Sequence, residues 1–539
     1  MNKNTRKNLL TALTYSLTLV GGMFLGYKFL KDQGYGVSRP ERQVLTRNAK
    51  VDEIIHLIDR KYVDDVNVDT LNHLPIDSLL HQLDPHSIYL PPEKATEQME
   101  SLEGNFEGIG IEYYILNDTL LVTSVVRAGP AYQAGVKPGD RILQIDSMVV
   151  SGKHLPKAAM IGRIKGKRGT PVKLILQRPG GARPFGVRVK RGKVHVSSID
   201  AAYMLNATTG YIRISRFGAN TDVDFTDSLR VLKSKGMSKL VLDLRDNGGG
   251  YLSAATGLAN QIFPENKLIV YTEGKHEPRT DYIATGGGEF ENGKLAVLIN
   301  EHTASASEIL AGAVQDLDRG VIIGRRSFGK GLVQEQFPFG DGSALNLTIA
   351  RYYTPLGRSI QKSYKNGYAA YQHEIEERFQ PGATGKGMPR VKDSLKKRPA
   401  PRNTFVTEAG KKVYGGGGIH PDIYVSGDTL GVNDLYRELV EKKVLFDYVY
   451  DVLGNRYQQQ YLNDHFGTFE ISSADFASFV KYAERKKITI NPQALNEAKP
   501  AINNDLRVLL YKYHLGDAGY FRALNQHDEA IKQALSSLQ

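Results

Sequence analysis

Between about residue 194 and residue 365 apolar, strand-like runs alternate with helical patterns, and this alternation restricts the fold more than any other feature. The runs are "GYIRIS", "KLVLDLRD", "KLIVYT", "KLAVLIN" and "GVIIG", with helical patterns near 222–234, 252–262 and 305–317. The segment therefore reads as an α/β domain. It cannot be the whole molecule: 539 residues exceed a single core, and the length suggests roughly three or four domains.

The flanks have other textures. Residues 31–105 form an N-terminal helical region, with Val51, Ile54, Ile55 and Ile58 at helical spacing, closed by the turn-rich "LDPHSIYLPPE" (83–93). From Gly104 short β-like runs are broken by glycine ("GIGIEYYI", "LLVTSVV", "RILQIDSMVV", "VKLILQR", "FGVRVKR"), with one helix-like stretch at Leu155–Lys165. This is a compact β-rich module, 106–193, ahead of the α/β core at 194–370. Within 371–414, "QPGATGKGMPRVKDSLKKRPAPRN" (380–403) is rich in Gly, Pro and cations and reads as a flexible basic insertion. "GGGGIHPDIYV" returns to β texture as a core strand in 415–430, and 431–539 is helical.

At the N-terminus Lys3, Arg6 and Lys7 precede an uncharged run from Asn8 to Tyr27. Twenty helical residues span about 30 Å, a bilayer's hydrocarbon core. Cations ahead of the span keep the N-terminus cytoplasmic, so residues 1–30 read as a cytoplasmic tip and transmembrane anchor, with the rest extracytoplasmic, as in a periplasm. A cleaved signal peptide is the alternative, but no A-x-A-like site follows the run. The net charge of +12 suits an anionic partner. Part of that excess lies in the basic insertion, however, and no nucleic-acid motif accompanies it. The absence of cysteine excludes disulfides, thiolate metal sites and a cysteine nucleophile.

Gly324-Arg-Arg-Ser-Phe-Gly329-Lys330 matches most of a phosphate-binding P-loop after an apparent strand. The motif also needs Ser or Thr after the lysine and a helix beyond it. Gly331 follows instead, then β-like sequence, and the nucleotide reading fails. Upstream, "LINEHTASASEILAGAVQDL" runs from a strand through a turn into a helix. Ser305 at that helix start presents an exposed hydroxyl, and the free amide of Ala306 can stabilise an oxyanion. Ser305-x-x-Glu308 is equally a capping box, which needs no catalytic role. A serine nucleophile needs a base. His302 has no carboxylate at useful spacing, and the remaining twelve histidines form no metal signature. Lys330, flanked by glycines and apolar residues, can fill that role if burial lowers its pKa. In an extended 330–334 segment Gln334 shares its face and can orient it without adding charge. The glycines of "LVLDLRDNGGG" (240–250) permit a tight turn, which needs no further role, though its amides can supply a second oxyanion donor.

Taken in order, "DLRDNGGG", "TASASEI" and "SFGKGLVQ" closely resemble the C-terminal processing (tail-specific) proteases, the S41 serine peptidases. "LDPHSIYL", "RYYTPLGRSIQ" (351–361) and "GIHPDIYV" extend the resemblance over about 50–425. It implies a multidomain α/β fold with a ClpP/crotonase-like core, a Ser305 nucleophile, a Lys330 general base oriented by Gln334, and oxyanion amides at Ala306 and Gly249. Gly248 stands where the family usually has proline, and Thr303 replaces the first serine of the motif. The β-rich module resembles a PDZ domain, with Gly108, Ile109, Gly110 and Ile111 as its carboxylate-binding loop. Such a loop takes a peptide C-terminus while the peptide adds to a sheet edge.

The implied protein is a membrane-anchored serine endopeptidase, acting on protein C-terminal tails outside the cytoplasm. It needs no cofactor, metal or nucleic acid, and assembly into a homo-oligomer stays open. A non-catalytic PDZ scaffold is the alternative, against which the intact Ser305, Lys330 and Gln334 speak. A crotonase-type acyl-CoA enzyme would share the fold but need neither the Ser–Lys pair nor a PDZ module.

Overall fold

In the computed structural model, which describes residues 47–71, 74–181, 183–378, 403–427 and 431–539, neighbouring residues of one strand are buried in two different cores. Leu240 and Leu242 of the strand Lys239–Asp243 enter one core and Val241 the other, as side-chain alternation requires. The sheet is therefore covered on both faces, which is the usual condition of parallel strands. Among the described residues its strands lie in the order Ile199–Met204, Thr209–Ile214, Lys239–Asp243, Lys294–Ile299, Val321–Gly324 and Ile423–Tyr424. The first pair is antiparallel and the following pairs are parallel.

Helices Thr221–Ser234, Leu252–Ala259 and Ala306–Asp316 cover the first face. The second is covered by the last helix, Glu529–Ser537, through Ala530, Ile531 and Ala534. The C-terminal region thus closes the core of the α/β domain.

The run at 268–273, expected in the alternating α/β series, belongs elsewhere. Leu268–Glu273 joins an antiparallel sheet with Thr280–Ile283, Ala344–Tyr353, Leu332–Pro338 and Ile88–Leu90. The connection from Glu273 to Thr280 is too short for a crossover, so the chain returns as a hairpin. The N-terminal helices Arg47–Lys61 and Ile76–Leu83 pack on this sheet, setting Ile54, Ile58, Leu79 and Leu80 against Leu345 and Leu347.

The β-rich module is an antiparallel sheet of Ile111–Leu116, Thr119–Val125, Arg141–Ile145, Pro171–Gln177 and Phe185–Lys190, with the helix Lys157–Ile164 against it. Asn117 and Asp118 both have positive φ, the backbone of a two-residue hairpin. Before and after the module Asn105–Gly108 pairs with Gly192–His195, so the chain enters and leaves side by side, as an insertion must. Leu116 and Leu121 are buried in the core of the C-terminal helices, and Arg141 is paired with Asp451. The segment Pro492–Leu524 is not straight. Gly516 takes φ 66°, ψ −160°, and the chain doubles back so that Arg507 reaches Gln526 and the Ala523 carbonyl.

Of the expected basic insertion, 371–414, residues 379–402 lie outside the described ones, and both flanks are ordered. One is the helix Tyr368–Glu377; the other is the hairpin of Thr404–Val406 with Lys412–Tyr414. Charge set the expected boundary, but Glu374 and Arg378 turn inward to partners. The expected anchor, 1–30, also lies outside the described residues; among those described no helix is long and apolar enough to cross a membrane.

Candidate active site

The strand Lys294–Ile299 leads through a turn to Ser305, the N-cap of the helix Ala306–Asp316. Ser305 takes φ 55°, ψ −118°, a backbone that costs a non-glycine residue about 1–3 kcal/mol. Its surroundings hold it there. The Ser305 amide donates to Glu308 Oε2 (2.9 Å), and its carbonyl accepts from Tyr352 Oη (3.1 Å) and from the amides of Glu308 and Ile309. The glutamate half of the capping box is therefore formed, and it serves a strained serine. The Ala306 amide donates to no protein group among the described residues.

Glu308 does more than cap. It is fully buried, and its Oε2 also accepts the Lys330 amide (2.9 Å), while Oε1 accepts the Gly329 amide (2.8 Å) and Ser327 Oγ. One carboxylate thus joins the serine's turn to the lysine's loop. Burial pushes its pKa up to about 7, against the pull of these donors.

Lys330 precedes the strand Leu332–Pro338, and its Nζ donates to Gln334 Oε1 at 2.7 Å. No hydrogen bond joins it to Ser305 in this geometry, though both side chains line the same cleft. The pairing with Gln334 is as expected, but strict alternation is not its cause, because the strand is irregular between Val333 and Gln334. A second contact orients the amide: Gln334 Nε2 donates to the His86 carbonyl. Asp84 in turn fixes that loop, accepting the amides of His86 (2.8 Å) and Ser87 (2.9 Å) and Ser87 Oγ (2.6 Å). "LDPHSIYL" is therefore the scaffold of the lysine's partner. Burial lowers the Lys330 pKa to about 8, opposed by the carboxylates of Asp84 and Glu308. His86, whose Nε2 contacts Tyr371 Oη at 2.7 Å, is held neutral at about 3 by burial and by Lys330 and Lys362. His302 is exposed and does not line the cleft.

The glycine turn closes the third side. Asn247, fully buried, accepts the Ala304 amide (2.9 Å) and Ser307 Oγ (3.0 Å) on its carbonyl. Its Oδ1 accepts the Gly249 amide at 2.9 Å. Gly249 therefore already spends its N–H, while the amides of Gly248 and Gly250 donate to no group among the described residues. Gly249 has φ 100°, and a Cβ there would lie 2.7 Å from Ser305 Cβ and 2.9 Å from the Ala306 amide nitrogen. The backbone leaves no room for any other residue. Ser305, Ala306, Lys330, Gln334 and the three glycines line one cleft of about 490 Å3, whose apolar walls include Leu102 and Tyr251.

The arrangement offers a nucleophile, a base near neutrality and free amides for an oxyanion. Among the described residues no group of three or more His, Asp or Glu side chains is gathered to hold a metal ion. In the β-rich module Ile109 is buried, Gly110 has φ 79°, and the amides of both donate to no group among the described residues. Gly108 pairs with Gly192 and Ile111 with Val125, which ties both ends of that loop. The glutamate clamp, Asn247 and the Asp84–His86 support do not stand out in the sequence as site residues. Asn before a glycine run was the available signal for one of them, since such a side chain bonds an amide two residues on.

Comparison with known proteins identifies the family of the chain. Residues 208–367 match the model of peptidase family S41, 121–178 that of the PDZ domain, and 435–513 a family of unknown function. The chain is similar to a carboxy-terminal-processing protease of Bartonella bacilliformis, 34% identical over 64% of this chain and 79% of that protein. It is similar also to a "Probable CtpA-like serine protease" of Staphylococcus aureus (strain N315), 32% identical over 65% of this chain and 68% of that protein. Among solved structures, a photosystem II D1 C-terminal processing protease matches 60% of this chain and 91% of its own, at 30% identity and a TM-score of 0.35.

Proposed function

The chain belongs to peptidase family S41 and is a serine protease of the carboxy-terminal processing kind; from that premise we propose that it is an endopeptidase working through a Ser305–Lys330 dyad near the C-terminal tails of its substrates. The reading is supported most directly by one observation: Ser305, the free Ala306 amide and a buried Lys330 with pKa near 8 share one cleft. Neutral Lys330 leaves Gln334 for the serine hydroxyl and takes its proton as Oγ attacks the carbonyl carbon. The Ala306 amide, with a second from the glycine turn, receives the developing oxyanion. Protonated Lys330 gives its proton to the leaving amine as the C–N bond breaks. Water, deprotonated by the same lysine, then releases the acyl group and restores Ser305.

The PDZ domain would hold the substrate's terminal carboxylate at the amides of Ile109 and Gly110. A peptide with a free, apolar C-terminus is expected to be cut internally, and its C-terminal amide at least about tenfold more slowly, since charge-assisted bonds to backbone amides are lost. Liquid chromatography with mass detection measures both; equal rates would remove the PDZ domain from substrate recognition.

Cations ahead of Asn8–Tyr27 support anchoring in a membrane, with the catalytic part outside the cytoplasm. The intact mass of the mature protein is expected to retain residues 1–30; their loss would instead mark a removed leader.

A further inference from the structure

The loop that carries Lys330 is held from two sides by opposite charges. On one side its amides converge on Glu308. On the other, three successive carbonyls converge on a single guanidinium. Arg378 Nη1 donates to the carbonyls of Arg326 (3.2 Å) and Ser327 (2.9 Å), and Nη2 to that of Phe328 (3.2 Å). Bonds from an ionised donor are roughly twice as strong as neutral ones.

Arg378 is itself fixed. Its side chain is 11% exposed, and Glu374 grips it at 3.0 and 2.8 Å. The Glu374 carboxyl is held at about 2 by Arg378, Arg326 and Lys362, against the upward pull of burial. The helix Tyr368–Glu377 also brings Tyr371 to His86, the residue whose carbonyl orients Gln334. Lys362 donates to the Tyr371 carbonyl (3.0 Å) and lies 4.1 Å over the rings of both Phe328 and Tyr371. The helix therefore touches both the peptide leading into Lys330 and the support of Lys330's partner. None of its residues lines the cleft.

We infer that the Glu374–Arg378 pair is a positioning device for Lys330, holding the 326–330 loop so that the amine stays in its dry place beside Ser305. The inference rests on the dyad reading. The charged and titratable groups around the amine are Asp84 and His86 from the loop before Ile88–Leu90, Glu308 from the helix Ala306–Asp316, and Tyr352 of Ala344–Tyr353, whose hydroxyl donates to the Lys330 carbonyl; Arg216 and Glu335 line the same cleft. Beyond Phe328 lie Lys362, Tyr371 and Glu374. Asp84 and Glu308 favour the protonated amine and burial disfavours it. A slack loop admits water, so burial weakens and the midpoint moves up.

The test is Arg378→Ala in the full chain, with peptide turnover followed against pH beside wild type and Lys330→Ala. The expected result is a kcat at least about tenfold lower, KM within about twofold, a rate midpoint moved to higher pH, and partial recovery in millimolar guanidinium. A kcat and midpoint like wild type's, with Lys330→Ala inactive, would overturn the inference and leave the dyad standing. Wild-type turnover by Lys330→Ala would instead remove the dyad reading. Should Arg378→Ala prove insoluble, Arg378→Lys and Glu374→Gln carry the same readouts. Unchanged kcat and midpoint in both would overturn the inference; a lower kcat with a raised midpoint in either supports it.

Discussion

Ser305→Ala and Lys330→Ala are each expected to lower kcat/KM by roughly 10³-fold or more, and the double variant to fall little further. A nucleophile and its base act as one unit: without either, only binding and the oxyanion amides remain. Free-peptide binding to the PDZ domain should be unaffected, which separates lost chemistry from lost folding. The pH profile supplies an independent check. If Lys330 is the base it acts as the neutral amine, so kcat/KM is expected to rise with pH and level off above about 8, where burial has brought Lys330. The same burial has a thermodynamic sign. Between about 8 and the ordinary lysine value the unfolded chain binds more protons than the folded one, so this lysine's contribution to stability grows with pH. Below that window the charged amine is a burden on the fold. Lys330→Met is therefore expected to be inactive yet at least as resistant to thermal unfolding at neutral pH; a clear fall in its midpoint would contradict this account of the lysine's burial.

Gly249→Ala is expected to reduce turnover by about 10²-fold or more, the loss typical of a spoiled oxyanion donor. The added methyl would meet Ser305 Cβ at 2.7 Å, the Ala304 carbonyl at 2.8 Å and the Ala306 nitrogen at 2.9 Å. On the proposed mechanism it would stand where the substrate's oxygen approaches the Ala306 amide. The backbone at φ 100° adds strain. Gly248→Ala is the control, because a Cβ there meets nothing within 4 Å. Steady-state kinetics of the two variants decide: equal activity would show that the space beside Gly249 is not used in catalysis.

How far the chain could be read from its residues varied with the range of the contacts. The α/β character of the core was legible because strand-like runs such as 240–242 alternate with helical patterns; that these strands run parallel and are covered on both faces shows only in the structure. Ser305, Lys330 and Gln334 were legible because short motifs surround them. The glutamate clamp was only half legible. Glu308 lies three residues from Ser305, and that local relation showed as a capping box. Its bonds to Gly329 and Lys330 span more than twenty positions, with no local pattern to mark them. Leu268–Glu273 was misplaced for a mixed reason: the short connection to its hairpin partner Thr280–Ile283 was passed over, and its other partner, Ala344–Tyr353, is remote. Arg378 looked like the edge of a basic, solvated stretch. Composition reports charge but not the three carbonyls that this charge faces.

The paired strands around the PDZ domain, Asn105–Gly108 with Gly192–His195, have a metric consequence. They hinge the domain at one end, and Leu116 and Leu121, sunk among the C-terminal helices, pin it at the other. A tail captured at Ile109–Gly110 would then lie at a set reach from Ser305. The enzyme would measure its cut from the end of the substrate, as a caliper with one jaw in each domain.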